Sequence, residues 1–323
     1  MNISKKMIMS FIVALTSVVS MAQPYYHIMK EENGKLIEDT VYNGMDYNIK
    51  IDMNEPKPDD AIGGKITIES DWHCTFSKLK RSFYFTKHGN VYYNKSEDKF
   101  HFEKSQLDYP RGNYSYNHVG HFRWGRSIKE CIELGSVGYT GYCFGKETTF
   151  YFSNPDTLPR LQEDLGNEKW AVLSYCEWQY VCETLGESGW TVNNEPCFLI
   201  DATPGKSLLT ELRNKNNGNP RDLSIDEFKS LEAKGLVCLP ASGDLCDRAK
   251  GMQGLIINPY FFSRGSMGYY WSCTSDYTRG QVVFSNLDTY GTYHLSFESS
   301  RAGVYHGTQR YRGYAVRLVI LAD

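Results

Sequence analysis

From Tyr260 to Tyr314 the chain carries five arginines (264, 279, 301, 310 and 312) and fourteen aromatic residues, with Ser, Gly and Thr in most of the gaps. No lysine occurs after position 250. Tyr, Trp and Arg without Lys is the composition of a contact surface: rings give rigid area at low entropy cost, and guanidinium forks give paired donors. Phe284, Phe297 and Trp271 are assigned to the core. Tyr277, Tyr290, Tyr305 and Tyr311 stand in stretches rich in Gly, Ser, Thr and Asp, where burial is hard to arrange, and are expected to stack on a ligand. Arg279, Arg301 and Arg310 would supply forked hydrogen bonds to it, and Asp276 and Asp288 would orient it.

Catalytic patterns are missing by comparison. There is no GxSxG, HExxH or P-loop, and no GxGxxG between a strand and a helix. His73 and Cys74 are adjacent, but neighbours on a strand point to opposite faces and cannot form a base–nucleophile pair. Calcium-dependent sugar binding would need an E-P-N or Q-P-D loop with W-N-D. Asn54-Glu55-Pro56 and Asn194-Glu195-Pro196 read N-E-P, with no W-N-D after either. No cofactor and no metal are expected, and the chain reads as a non-enzyme. Net charge is −3, and Asp276, Asp288 and Glu298 offset the arginines, so nucleic acid is not an expected partner.

The elements that must carry such a surface are an α+β set. Tyr47, Ile49 and Ile51 share one face of a strand, and Ile66 and Ile68 follow a turn at Gly63-Gly64. Phe83 and Phe85 alternate, and Val91-Tyr92-Tyr93 begins another strand after Gly89-Asn90. Two main helices are signed. Ser174-Tyr175-Cys176-Glu177 is a capping box ahead of Trp178, Val181, Cys182 and Leu185 at helical spacing, stopped at Gly186. Ser224-Ile225-Asp226-Glu227 repeats the device, with Ile225, Phe228 and Leu231 on one face and Gly235 as terminator. Buried strands are expected at 170–173, 197–200 and 236–239, and the C-terminus is β-rich at 281–285, 293–297 and 314–321. Long loops connect these elements, and loops of such length in a compact domain are usually functional.

The address comes from the first 22 residues. Lys5 and Lys6 precede an apolar run from Met7 to Val19, and Ser20-Met21-Ala22 offers small residues for cleavage before Gln23. A run of that length is too short to span a bilayer, and no later window is longer, so export without a membrane span is expected. The destination is extracellular, cell-surface or periplasmic. Nine cysteines follow: 74, 131, 143, 176, 182, 197, 238, 246 and 273. The odd number leaves at least one thiol free or paired with another molecule. A chain of 323 residues can bury its own core without a disulfide framework. Cys131 with Cys143 and Cys238 with Cys246 are the local pairs to test. Cys176 and Cys182, six apart on one helix, cannot bond each other.

Three segments carry a resemblance. Trp170-Ala171-Val172-Leu173-Ser174-x-x-Glu177-Trp178, Tyr270-Trp271-Ser272-Cys273-Thr274 and Gly313-Tyr314-Ala315-Val316-Arg317 are similar to the W-R-x-L-[ST]-x-x-E-W, Y-W-S-S-T and G-x-S-V-R motifs of the major paralogous (FISUMP-type) domain of secreted bacterial proteins. Phe83 to Tyr93 matches the opening strand of its longer version, so the resemblance covers about residues 82–323. It implies a C-type-lectin-like fold related to formylglycine-generating enzymes, with ligand contacts between the Y-W-S-S-T segment and the final strand. Ala171 replaces the usual Arg, and Cys273 replaces the second Ser, adding a thiol beside the expected site.

The expected organisation is a signal peptide at 1–22, a β-rich N-terminal portion at 23–80 and a C-type-lectin-like domain at 81–323. The expected function is recognition of a surface protein or glycan. Two other classes stand beside it: a structural surface component that self-associates through the same face, and an oxidase of the formylglycine-generating type, which would need a second reactive Cys with Cys273.

Overall fold

The computed structural model describes residues 25–32, 35–43, 47–70, 79–94, 96–108, 118–124, 141–144, 157–246, 260–275, 292–306 and 313–322. In chain order the strands begin β1 (Tyr25–Glu32), β2 (Lys35–Asn43), β3 (Tyr47–Asp52), β4 (Ala61–Ser70), β5 (Leu79–Thr86), β6 (Val91–Asn94) and β7 (Lys99–Phe102). Next come β8 (His118–Val119), β9 (His121–Trp124), β10 (Gly141–Phe144), α1 (Thr157–Asp164) and β11 (Trp170–Val172). The middle supplies α2 (Tyr175–Thr184), β12 (Gly186–Val192), β13 (Glu195–Asp201), α3 (Ser207–Lys215), β14 (Asp222–Leu223), α4 (Ile225–Glu232) and β15 (Leu236–Pro240). The chain closes with β16 (Asp244–Cys246), β17 (Tyr260–Phe262), β18 (Gly268–Ser275), β19 (Thr292–Phe297), β20 (Ala302–His306) and β21 (Leu318–Ala322). The protein is therefore a strand-rich α+β chain.

The β1–β2 hairpin is antiparallel and belongs to a separate compact unit. The main unit takes in Ile49–Glu69 together with the described residues from Lys80 onward. Its largest sheet runs β11-β21-β5-β4-β3. The boundary read at 81 thus falls inside this sheet, because β3 and β4 are two of its strands. β3 alternates as its sequence does, with Tyr47, Ile49 and Ile51 half-buried and Asn48, Lys50 and Asp52 exposed. Gly63-Gly64 is not the expected turn but lies within β4. Gly63 has φ +69°, and a Cβ there would sit 2.5 Å from Ala202 Cβ, while Gly64 N donates to Ala202 O at 3.0 Å. The glycines let β4 approach the end of β13 closely, which joins the five-stranded sheet to the four-stranded sheet β14-β12-β13-β15.

Four α-helices occur among the described residues, two more than expected. The Ser174 capping box on α2 forms in full: Glu177 N donates to Ser174 Oγ at 3.3 Å, and Ser174 N to Glu177 Oε2 at 2.7 Å. On α4 only half of it forms. Ser224 Oγ accepts from Glu227 N, but the Glu227 carboxylate turns to Arg221, which donates to both its oxygens. Ile225 stays 40% exposed while Phe228 is buried. The overlooked α3 buries Leu208, Leu209 and Leu212. No Ser, Thr, Asp or Asn stands at its N-cap, where Lys206 adopts a left-handed φ of 53°. Its capping acceptor comes from the end of β13 instead: Asp201 Oδ2 accepts from Leu209 N at 2.9 Å.

His121 on β9 is fully buried, with Nε2 3.2 Å from Ser242 O. Burial, reinforced by the charge of Arg264, lowers its pKa to about 4. A depressed histidine favours the fold above its unfolded value and ceases to as the pH falls through its folded value. Between pH 6.5 and pH 4 the protein should therefore lose about 3 kcal/mol of stability through this residue. Urea midpoints for wild type and His121→Gln across that range test it. The variant should lose correspondingly less, and parallel curves would refute the assignment.

Candidate functional site

The residues of the three sequence motifs converge on one core. Trp170, Trp178, Tyr270, Trp271, Ser272, Tyr314, Val316 and Arg317 are all buried. Trp178 Nε1 donates to Trp271 O at 3.3 Å, and Trp271 Nε1 donates to Phe122 O. Trp271 packs on Tyr314 with ring centres 4.3 Å apart, and Tyr269 stacks on Tyr314 at 5.0 Å. Tyr270 Oη donates to Pro240 O at 2.8 Å, and burial raises its pKa. Arg317 Nη2 reaches Thr86 O and Gln106 Oε1 at 3.1 and 2.7 Å. Burial brings the Arg317 pKa down to about 10. These side chains hold β18, β21 and α2 together, which is a scaffolding role.

The antiparallel sheet β18-β19-β20 stands on that scaffold. Ser275 at the end of β18 pairs with Thr292 at the start of β19, and Tyr293 pairs with His306 at the end of β20. Ser275, Thr292 and His306 therefore lie at the same end of one sheet. Asp276, Tyr277, Arg279, Asp288, Tyr290, Arg310 and Tyr311 belong to segments 276–291 and 307–312 and lie outside the described residues, as do Phe284 and the strand expected at 281–285. Tyr305 is in β20 at that same end, opposite His294 in register.

Arg301 lies at the opposite end of this sheet from Ser275, Thr292 and His306. It closes the β19–β20 hairpin, where Glu298 N donates to its carbonyl and its Nε lies 2.7 Å from Glu298 Oε1. At about 3.4 Å per residue, the length of β19 separates that hairpin from the opposite end by roughly 17 Å. Arg301 instead borders a cavity of about 230 Å³ with Met267, His294, Ser296, Phe297 and Glu298.

Two cysteine expectations meet side chains. Cys238 is a free, buried thiol, so its pairing with Cys246 is not formed; it lies in β15, packed in the apolar cluster of Trp190, Cys197 and Phe228. Neither Cys176 nor Cys182 is in a disulfide. Burial raises the Cys182 thiol pKa, and the neighbouring Cys238 together with burial raises that of Cys197, which keeps both protonated. Cys131 lies outside the described residues.

A larger cavity of about 750 Å³ was not read from the sequence. One wall is the face of α4 that carries Ile225, Phe228, Lys229 and Glu232. These stand at i, i+3, i+4 and i+7, a spacing visible in the sequence. Glu103, Ser105, Leu107 and Asp108 also line it, as do Cys197 and Cys238 on neighbouring strands. No group of three or more His, Cys, Asp or Glu that could hold a metal ion occurs among the described residues. No helix among them is long and apolar enough to cross a membrane.

Comparison with models of protein families, with curated proteins and with solved structures finds no match to this chain.

Proposed function

We propose that the chain is an exported, non-catalytic recognition protein that binds a protein or glycan on another surface through segments 276–291 and 307–312. One observation supports this reading: the described strand ends next to these segments, Ser275, Thr292 and His306, lie at one end of β18-β19-β20. Burial of the motif residues, some of them in β18 itself, adds support, since a rigid base lets contacts be presented at low entropy cost. The C-type-lectin-like fold and FISUMP-type membership belong to the same proposal and rest on the motifs. Arg301 is left out of the contact set, because it sits at the far hairpin with Glu298.

The test is binding of the mature chain to panels of glycans and surface proteins, wild type against Tyr290→Ala/Arg310→Ala. Hits should weaken about 100-fold in the double variant, as expected of two anchor residues, and persist in Arg301→Ala. A hit unaffected by the double variant would refute the assignment of the site. If no partner binds, and wild type sediments as a large species that the variant does not form, the face is a self-assembly surface instead.

A further inference from the structure

The 750 Å³ cavity beside α4 is lined by more carboxylates than cations, together with apolar side chains. Glu103, Asp108, Glu195 and Glu232 line it, against Lys229 as the single Lys or Arg and His118 as the single His. Two of the carboxylates are held in place. Glu103 is buried, with Oε1 2.6 Å from His118 Nε2. Glu232 Oε1 accepts from Gln106 Nε2 at 2.6 Å, and the other end of that amide accepts from Arg317 and from Cys238 N, at 2.7 and 2.9 Å. A buried relay from the last motif residue thus fixes Glu232 on the cavity wall. Phe228, Val192, Pro240 and the two thiols supply the apolar part, and Ile225 is one of two large hydrophobic side chains left exposed among the described residues.

An anion would be repelled here, and a neutral apolar body would desolvate carboxylates without pairing them. A cation on an apolar stem satisfies both surfaces, and the volume is in the range of small-ligand sites. We infer that this cavity binds an organic ammonium group carried on an apolar stem, as a free amine or as a lysine side chain of a peptide. The site uses neither 276–291 nor 307–312, so it stands or falls independently of the proposed recognition surface.

Calorimetric titration of the mature chain with phenethylammonium, 2-phenylethanol and phenylacetate tests it, with a lysine-centred pentapeptide as a fourth probe. Phenethylammonium should bind about tenfold more tightly than the alcohol, the difference expected of one charge-assisted hydrogen bond, and phenylacetate more weakly than either. The pentapeptide outbinding the free amine would assign the peptide source, and the reverse the free amine. Glu103→Gln/Glu232→Gln should remove the preference for the amine while the urea midpoint shows the variant folded. Lys229 is exposed, so Lys229→Glu leaves the fold intact and should tighten amine binding several-fold by Coulomb attraction. Equal binding of amine and alcohol, no binding of amine or peptide, or no gain in Lys229→Glu would overturn the inference.

Discussion

Trp271→Ala should destabilise the main unit by about 4 kcal/mol, most of its effect arising from lost volume. The indole is 1% exposed and lies in the cluster formed with Trp170, Phe122, Tyr314 and Val316. Its polar contacts predict a smaller part of the loss. Trp178 Nε1 donates to the Trp271 main-chain carbonyl, which an alanine keeps. Phe122 O loses the indole donor but still accepts from Tyr314 N at 3.0 Å, so no buried acceptor is orphaned. Trp271→Phe, which refills much of the space without the N–H, should therefore recover about half of the stability. Urea unfolding of the three proteins measures this, and a phenylalanine variant as damaged as the alanine one would show that the indole hydrogen bond dominates. A loss under 1 kcal/mol in Trp271→Ala would mean that this core is not what fixes β18.

How far these features could be read from the sequence depended on the distance between partners. The Ser174–Glu177 box is complete within four residues and forms as read. The matching box on α4 has the right residues, but Arg221, three before Ser224, captures the Glu227 carboxylate. α3 gave no start signal, because its cap is Asp201, which closes β13 before a Pro-Gly turn. Gly63-Gly64 was misread because a glycine pair signals a turn and a close strand approach equally, and only the position of Ala202 decides between them. The candidate sites divide in the same way. The aromatic and Arg-rich segments are continuous in the chain and could be picked out by composition. What composition could not give was that Arg301 lies at the hairpin end of the sheet, away from Ser275, Thr292 and His306, which follows from strand register. The acidic cavity was invisible for a further reason. Its carboxylates come from positions 103, 108, 195 and 232, scattered along the chain and marked by nothing in their own local sequence.

Glu177 shows what a local motif conceals, and its replacement by alanine should cost about 3 to 4 kcal/mol, as for one partner removed from a buried pair. The side chain is fully buried. Oε2 accepts from Ser174 N at 2.7 Å, which completes the cap. Both oxygens also accept from Arg81 Nη1, at 3.0 and 3.1 Å, and Arg81 lies 96 residues earlier in β5. A capping residue alone would be worth about 1 kcal/mol. The larger expectation arises because Glu177→Ala removes the carboxylate acceptor of the buried Ser174 amide and leaves the Arg81 guanidinium, whose side chain is 27% exposed, without its counter-charge. Glu177→Gln separates the two roles. It retains an acceptor for Ser174 N but not the charge opposite Arg81, so it should fall between wild type and alanine. In a double-mutant cycle with Arg81→Ala, the pair should show a coupling of about 2 kcal/mol, because removing both partners leaves no stranded charge. Additive losses would mean that Glu177 acts through the helix cap alone, and that the link between α2 and the central sheet is made by Trp178 and its neighbours instead.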